Sequence, residues 1–309
     1  MSVAPRAVDA PAETLRLAVG AATDAAGREE NQDAAAALAL GASGGDADDF
    51  LLLVADGMGG HAAGDVASRI ALETLTAAFS SLPDGDLGLA MKQAYRQAND
   101  AIYAAAEAEP THAGMGTTLT AALLRGKYAT VAHVGDSRAY LLRGEGVTQV
   151  TRDHTVVADD VAQGRISADA ARSDPRRNRL THAVGTHPRL DRDLPSIFEL
   201  TLLPGDRLML CSDGLHEALD DADLRSVLRQ ADPGDAARAL VALAAERGTK
   251  DNATAVVAAA IPTRVPAAGA VPREVGRTGG VPGMAIAAVI AVILVVLLLV
   301  ALLILGAPR

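Results

Sequence analysis

Apolar residues in this chain gather into short continuous runs, and seven of them read as strands: 15–21, 50–55, 117–124, 129–134, 139–143, 207–212 and 253–260. Runs without alternation are expected where a sheet is covered on both faces, because neither face then carries polar side chains. Between them, 65–79 and 87–108 are Ala-rich, with an apolar stripe at helical spacing. A last helix is punctuated by Asp232 as N-cap, Pro233 in the first turn and Gly248 just past its end. Strand runs cluster early and late, with the two long helices paired after the second run. That order predicts an α+β domain of hairpin-built antiparallel sheets flanked by helices and argues against a repeating βαβ pattern. The chain has no internal repeat.

One apolar stretch differs from the rest. Residues 285–305 hold 21 positions without a polar side chain, 16 of them Val, Leu or Ile. As a helix they would be about 31 Å long, the thickness of a bilayer core. Their side chains would favour insertion by roughly 5–10 kcal/mol. A soluble core helix would need a polar stripe, so 284–305 is expected to be a transmembrane helix. Arg264, Arg273 and Arg277 lie on its N-terminal flank against Arg309 alone on the other, which places the folded part in the cytoplasm of a single-pass cell-membrane protein. Residues 262–283, rich in Pro, Ala, Gly and Val, read as a flexible linker reaching on the order of 25 Å. The expected organisation is therefore a disordered start at 1–11, a domain at 12–261, the linker, the membrane helix and a short tail at 306–309. The N-terminus lacks the apolar stretch of a secretory signal.

Composition narrows the chemistry. With 309 residues, of which aromatics are only 2%, the core must be packed from Ala, Val, Leu and Ile. A net charge of −10 without a long basic run makes nucleic acid a poor partner, since phosphate contacts need clustered Lys and Arg. The single cysteine, Cys211, rules out a disulfide framework and a thiolate metal cage. A cysteine phosphatase would need an arginine six residues further on, where Glu217 stands, so Cys211 is expected to pack in the core. Neither a GxxxxGK[ST] loop nor HExxH spacing occurs.

Four apolar runs carry an aspartate at one end: FLLLVAD-G with Asp56, ATVAHVGD-S with Asp136, RLMLCSD-G with Asp213 and D-NATAVVAAA with Asp251. Asp-Gly turns at strand ends account for any one of them. Repetition, together with Asn31-Gln32-Asp33 leading into the next apolar run, points to convergence. Two carboxylates about 4 Å apart repel by roughly 4 kcal/mol at an effective dielectric of about 20, so such a cluster must take up protons or bind cations. All-oxygen ligation suits Mg²⁺ or Mn²⁺ better than Zn²⁺. A pair of such ions can activate a water for attack on phosphorus, and Arg28, three residues before Asn31, is placed to hold a phosphate.

The segments TDAAGREENQDA, LLLVADGMGGHAAGDVAS, GMGTTLTAALL, VAHVGDSRAYLLR, LTHAVG, LMLCSDGL and KDNATAVV occur in the order of the PPM, or 2C-type, serine/threonine protein phosphatases, which the chain resembles over about residues 12–262. The resemblance implies a sandwich of two antiparallel β-sheets with helices outside (αββα) and a binuclear metal site between the sheets at one end. It implies that Asp56 bridges two Mn²⁺ or Mg²⁺ ions, that the Gly57 carbonyl binds one, and that Asp213 and Asp251 complete the other. Asp33, counted with the metal-binding residues, would orient metal-bound water directly or from behind the ligands, Arg28 would hold the substrate phosphate, and Asp136 would serve a weaker third ion found in bacterial members. Residues 153–190 match the family's mobile flap. His61, after the glycine cluster, is a candidate proton donor to the leaving group or a hydrogen-bond partner of a nearby carboxylate. Relatives often carry glycine where Ala26 stands and a five-residue step where Asp24 to Arg28 is four, and Gln32 replaces a glutamate seen in some.

The implied activity is hydrolysis of phosphoserine and phosphothreonine on proteins, with phosphorylated kinases and their substrates at the membrane as partners. The alternative is a module of the same fold that binds phosphoproteins without turnover. The basic run at 176–179 falls in the flap, as a solvated loop or as a contact for acidic substrate segments. His133 is expected to be a satisfied core histidine.

Overall fold

The computed structural model describes residues 14–40, 49–60, 63–80, 85–230 and 232–263. Pro262 and Thr263, expected to open the linker, instead continue the last strand; the expected N-terminal tail, the rest of the linker, the membrane helix, the final tail and His61 lie outside the described residues. No helix among the described residues is long and apolar enough to cross a membrane.

The chain begins with β1 (Thr14–Asp24), β2 (Asp33–Ala39) and β3 (Phe50–Met58), followed by the paired helices α1 (Ala63–Ala78) and α2 (Leu87–Ala108). After a 3₁₀ turn come β4 (Gly116–Thr117), β5 (Leu119–Arg125), β6 (Tyr128–Val134), β7 (Arg138–Arg143) and β8 (Gly146–Gln149). Two short helices, α3 (Val156–Ala162) and α4 (Ala168–Arg172), form the flap. Then follow β9 (Ser196–Thr201), β10 (Arg207–Cys211), α5 (Asp213–His216), α6 (Asp221–Leu228), α7 (Pro233–Glu246) and β11 (Ala253–Thr263). One sheet runs β1-β11-β10-β7-β8 and the other β2-β3-β5-β6-β9, with β4 added to β3. Among the described residues, neighbouring strands in these sheets are antiparallel.

Strand alternation builds the layers. Phe50, Leu52 and Val54 of β3 face Leu17, Leu208, Leu210, Val256 and Ala258 between the sheets. Leu51, Leu53 and Ala55 point the other way, onto Ala67, Ala71 and Leu75 of α1 and Met91, Tyr95 and Ile102 of α2. Met209, Cys211, Ala255 and Val257 pack in the same manner against Leu240 and Ala244 of α7. Both faces of the central strands are thus apolar, which is why they read as unbroken runs. Emptying one such position, as in Leu52→Ala, would cost about 2–5 kcal/mol.

Several elements differ from the expectation. The run at 117–124 is broken at Thr118, whose N–H and hydroxyl both bond to the backbone of Asp56. β2, β8 and β9 were not among the expected strands. β2 (DAAAALA) and β9 (SIFELT) pair on one side only and are part-exposed, and alanine favours helix over strand when no tertiary partner decides. α7 has the expected punctuation, its N-cap Asp232 accepting hydrogen bonds from Gly234 and Asp235. His133 is a core histidine with Nδ1 2.9 Å from Thr120 Oγ1, and burial lowers its pKa to about 3. Cys211 is buried, its thiol pushed up to about 12 by the apolar surroundings.

Candidate active site

Strand direction brings the aspartates together. β2 and β11 begin, and β3, β6 and β10 end, at the same end of the sandwich, because each is antiparallel to its neighbour. Asp33 opens β2 and lies in register with Asp56 of β3. Asp136 follows β6, Asp213 starts α5 directly after β10, and Asp251 stands two residues before β11.

Burial and mutual repulsion act on these carboxyl groups together. Burial raises the Asp33 carboxyl to about 7, with Asp213 and Asp251 adding repulsion. Asp56 is pushed well above the usual carboxylate range by burial, and then by Asp33, Asp213, Asp136 and Asp251. Burial, with Asp213 next, takes Asp136 to about 8. Asp213 rises to about 6 through burial and the charges of Asp251 and Glu217, while the Asp56 carboxyl lies against it. Five acidic groups therefore share one field, the arrangement that demands protons or cations.

A hydroxyl and amide framework fixes them. Ser212 Oγ donates to Asp33 Oδ2 at 2.7 Å and accepts from the Thr254 amide, so Asp33 is tied across the sandwich to β10 and β11. Asn252 Oδ1 accepts from the Gln32 amide, and its Nδ2 donates to the carbonyls of Ala25 and Glu30, pinning the β1–β2 loop to β11. Thr117 Oγ1 donates to the Asp56 carbonyl at 2.9 Å. Thr118 and Ser137 hydroxyls lie 2.7 Å apart and link Asp56 to the turn that carries Asp136. Sequence reasoning passed over Ser212, Asn252, Thr254 and Ser137. The signal was their position next to each aspartate, in S-D-G, D-N-A-T and G-D-S. Gly57 needs its hydrogen side chain, since a Cβ there would lie 2.0 Å from the Gly64 carbonyl.

Arg28 lies at this end with its guanidinium on Asp251, Nη2 to Oδ2 at 2.6 Å, and donates from Nε to the Lys250 carbonyl. Ala26, just upstream, has a φ of 45°, and its amide donates to Asp24 Oδ1 at 2.7 Å. Beside Asp136 opens a groove of about 1270 Å³ between the flap and the first sheet, lined by Arg138, Asp153, Arg177, His216 and Glu217 among others. Arg176 of the basic run is held by Asp160 and Asp174, and Arg177 by Glu217.

Among the described residues no three His, Cys, Asp or Glu side chains form a ready-made metal cage. The chemistry of the donors nonetheless fits hard divalent cations. The candidate ligands are all oxygens, and Asp33 Oδ1 and Asp213 Oδ1 are buried with no hydrogen-bond partner, a cost of about 1–3 kcal/mol each that a cation would remove.

Residues 23–245 match the family described as protein phosphatase 2C. The chain belongs to that family. It is 42% identical over 208 residues to the serine/threonine protein phosphatase PstP of Mycobacterium tuberculosis, covering 67% of this chain and 40% of PstP. It is 34% identical over 212 residues to the serine/threonine phosphatase stp of Listeria innocua, covering 67% of this chain and 83% of stp. The catalytic domain of PstP, solved in complex with two manganese ions, superposes with a TM-score of 0.70 at 37% identity, covering 80% of this chain and all of that domain. The chain thus spans less than half the length of the PstP proteins it matches, and the fold is that of the 2C-type phosphatases.

Proposed function

We propose that this chain is a serine/threonine protein phosphatase that hydrolyses phosphoserine and phosphothreonine on proteins with two Mn²⁺ or Mg²⁺ ions. The observation that carries the proposal is the meeting of Asp33, Asp56, Asp136, Asp213 and Asp251 at one sandwich end, each of the first four with raised proton affinity. Asp56 would bridge the ions, the Gly57 carbonyl would hold one, and Asp213 with Asp251 would hold the other. Asp136 would serve a third. Ions bound there lower the pKa of a water molecule and neutralise charge on the phosphoryl group.

The remaining steps belong to side chains. Asp33, locked by Ser212, orients the attacking water. Arg28, half exposed and held by Asp251 and the Lys250 carbonyl, would turn from Asp251 onto the phosphate, where its planar fork can take two oxygens. His61 is the candidate proton donor to the departing serine or threonine oxygen. The groove beneath the flap accommodates the polypeptide flanking the phosphoresidue.

The partners follow from the tether. The apolar stretch at 285–305 anchors the protein in the cell membrane with the domain in the cytoplasm, beside phosphorylated kinases and their substrates. What supports this is the length of that stretch and the arginines on its N-terminal flank.

Release of phosphate from a phosphothreonine peptide in Mn²⁺ tests the activity. Wild type should turn over, and Asp213→Asn should lose at least 100-fold in kcat while keeping its fold by circular dichroism. A wild-type protein that binds the phosphopeptide without releasing phosphate would leave a binding module in place of an enzyme.

A further inference from the structure

Asp136 sits in the turn that follows β6, and the two sides of that turn are held by different parts of the molecule. On the Ser137 side the grip belongs to the second sheet. Ser137 Oγ lies 2.7 Å from Thr118 Oγ1, and the Ser137 carbonyl accepts from Thr120 Oγ1 at 3.2 Å. On the Gly135 side the grip comes from outside both sheets. The Gly135 amide donates to His154 Nδ1 at 3.2 Å, and the Gly135 carbonyl accepts from the His154 amide at 2.7 Å. His216 completes the set from α5, with Nε2 donating to the Asp136 carbonyl at 3.0 Å.

Both rings are fixed in orientation. An amide can only donate, so His154 Nδ1 carries no proton, and the proton on Nε2 points to Ser196 Oγ, 3.2 Å away. The His154 ring lies 4.9 Å from that of His133 and 5.5 Å from that of His182, centre to centre. A carbonyl can only accept, so His216 presents Nε2–H, and it ends the single-turn helix that Asp213 begins. His154 is also the neck of the flap. Its carbonyl accepts from the Thr181 amide at 2.8 Å, Thr155 and Leu180 form a β-bridge, and the Val156 amide donates to the Arg179 carbonyl at 3.0 Å. The two strands of the neck therefore move together, and Gly135 moves with them.

We infer that His154 and His216 are positioning residues for Asp136, tying its turn to the flap neck and to the helix of Asp213, so that the reach of its carboxylate depends on both. This deepens the site proposed above and rests on Asp136 as a ligand there. Groups that hold a ligand from behind set about 10–100-fold of metal affinity. The coupling runs both ways: a polypeptide that displaces the flap neck changes the grip of Asp136, and a cation on Asp136 stiffens the neck.

The two rings use different nitrogens, and that allows a crossed test. Asparagine places its amide where Nδ1 stands, and glutamine where Nε2 stands. His154→Asn therefore keeps an acceptor for the Gly135 amide and His154→Gln loses it, whereas His216→Gln keeps a donor for the Asp136 carbonyl and His216→Asn loses it. Full-length protein is titrated with Mn²⁺ by calorimetry, with free ion counted by electron paramagnetic resonance. Asp136→Asn marks the weak binding event by removing it. His154→Gln and His216→Asn should weaken that event about tenfold, His154→Asn and His216→Gln by no more than about twofold, with the tighter events unchanged in all four. If asparagine and glutamine act alike at each position, or if all events weaken together, the histidines only support the fold and the inference is overturned. If Asp136→Asn removes no event, Asp136 is not a ligand, and the inference falls while the two-ion site stands. A wild-type protein that binds no Mn²⁺ removes the metal site itself.

Discussion

The crowded carboxylates should make the metal-free protein lose stability as pH rises above neutrality, and Mn²⁺ should cancel that loss. Asp136 has a folded pKa of about 8 and Asp33 of about 7, against 3.8 for an ordinary aspartate. A raised pKa means that the folded state holds a proton the unfolded chain has released, so the stabilisation is complete below 3.8 and disappears as pH passes through the folded value. His133, His154 and His216 oppose this at lower pH. Burial drops them from 6.5 to about 3, 4 and 4, so they add stability as pH rises, until both states are neutral above 6.5. The window between pH 6.5 and pH 8 therefore isolates the carboxylates.

Across that window Asp136 accounts for about 2 kcal/mol and Asp33 for a fraction more, at about 1.4 kcal/mol per unit. A loss of about 3 kcal/mol in a domain of this size lowers Tm by roughly 6–10 °C. Differential scanning fluorimetry in EDTA should show this fall, and saturating Mn²⁺ should flatten the profile. Calorimetric titration with Mn²⁺ in buffers of different ionisation heat should show protons released on binding, more at pH 6.5 than at pH 8. A metal-free Tm that is level across the window, with a binding heat independent of buffer, would refute the reading that these groups share a proton-retaining field.

Ala26→Gly should raise stability by about 1 kcal/mol in urea unfolding, because the residue sits at a φ of 45° that costs an L-side chain about 1–2 kcal/mol. Gly214→Ala should lower Tm by several degrees and depress activity, since its Cβ would lie 2.2 Å from the Asn252 carbonyl and push Asp213 out of place. Deleting 284–309 should release an active enzyme into the soluble fraction; a truncated protein that still sediments with membranes would remove the anchor.

Much of the architecture was legible along the chain because its central strands are covered twice. Runs such as FLLLVA and ATAVVAAA announce themselves once neither face is polar, and the aspartates at their ends mark where each strand stops. Three of the four edge strands, β2, β8 and β9, were hidden for the converse reason, whereas β1 was read. β2 and β9 pair on one side only, so their composition carries little of the pattern. The short helices of the flap have too few turns for a period to emerge.

Residue chemistry along the sequence sufficed to nominate Arg28, Asp33, Asp56, Asp136, Asp213 and Asp251, because oxygen donors at strand ends can be counted without coordinates. What tertiary structure alone decided was how they stand to one another. Antiparallel register sets Asp33 opposite Asp56, the hydroxyl of Ser212 bridges 179 positions to reach Asp33, and Arg28 finds Asp251 across 223. Such contacts join segments far apart in the chain, and local propensity holds no information about which distant partner a side chain will meet.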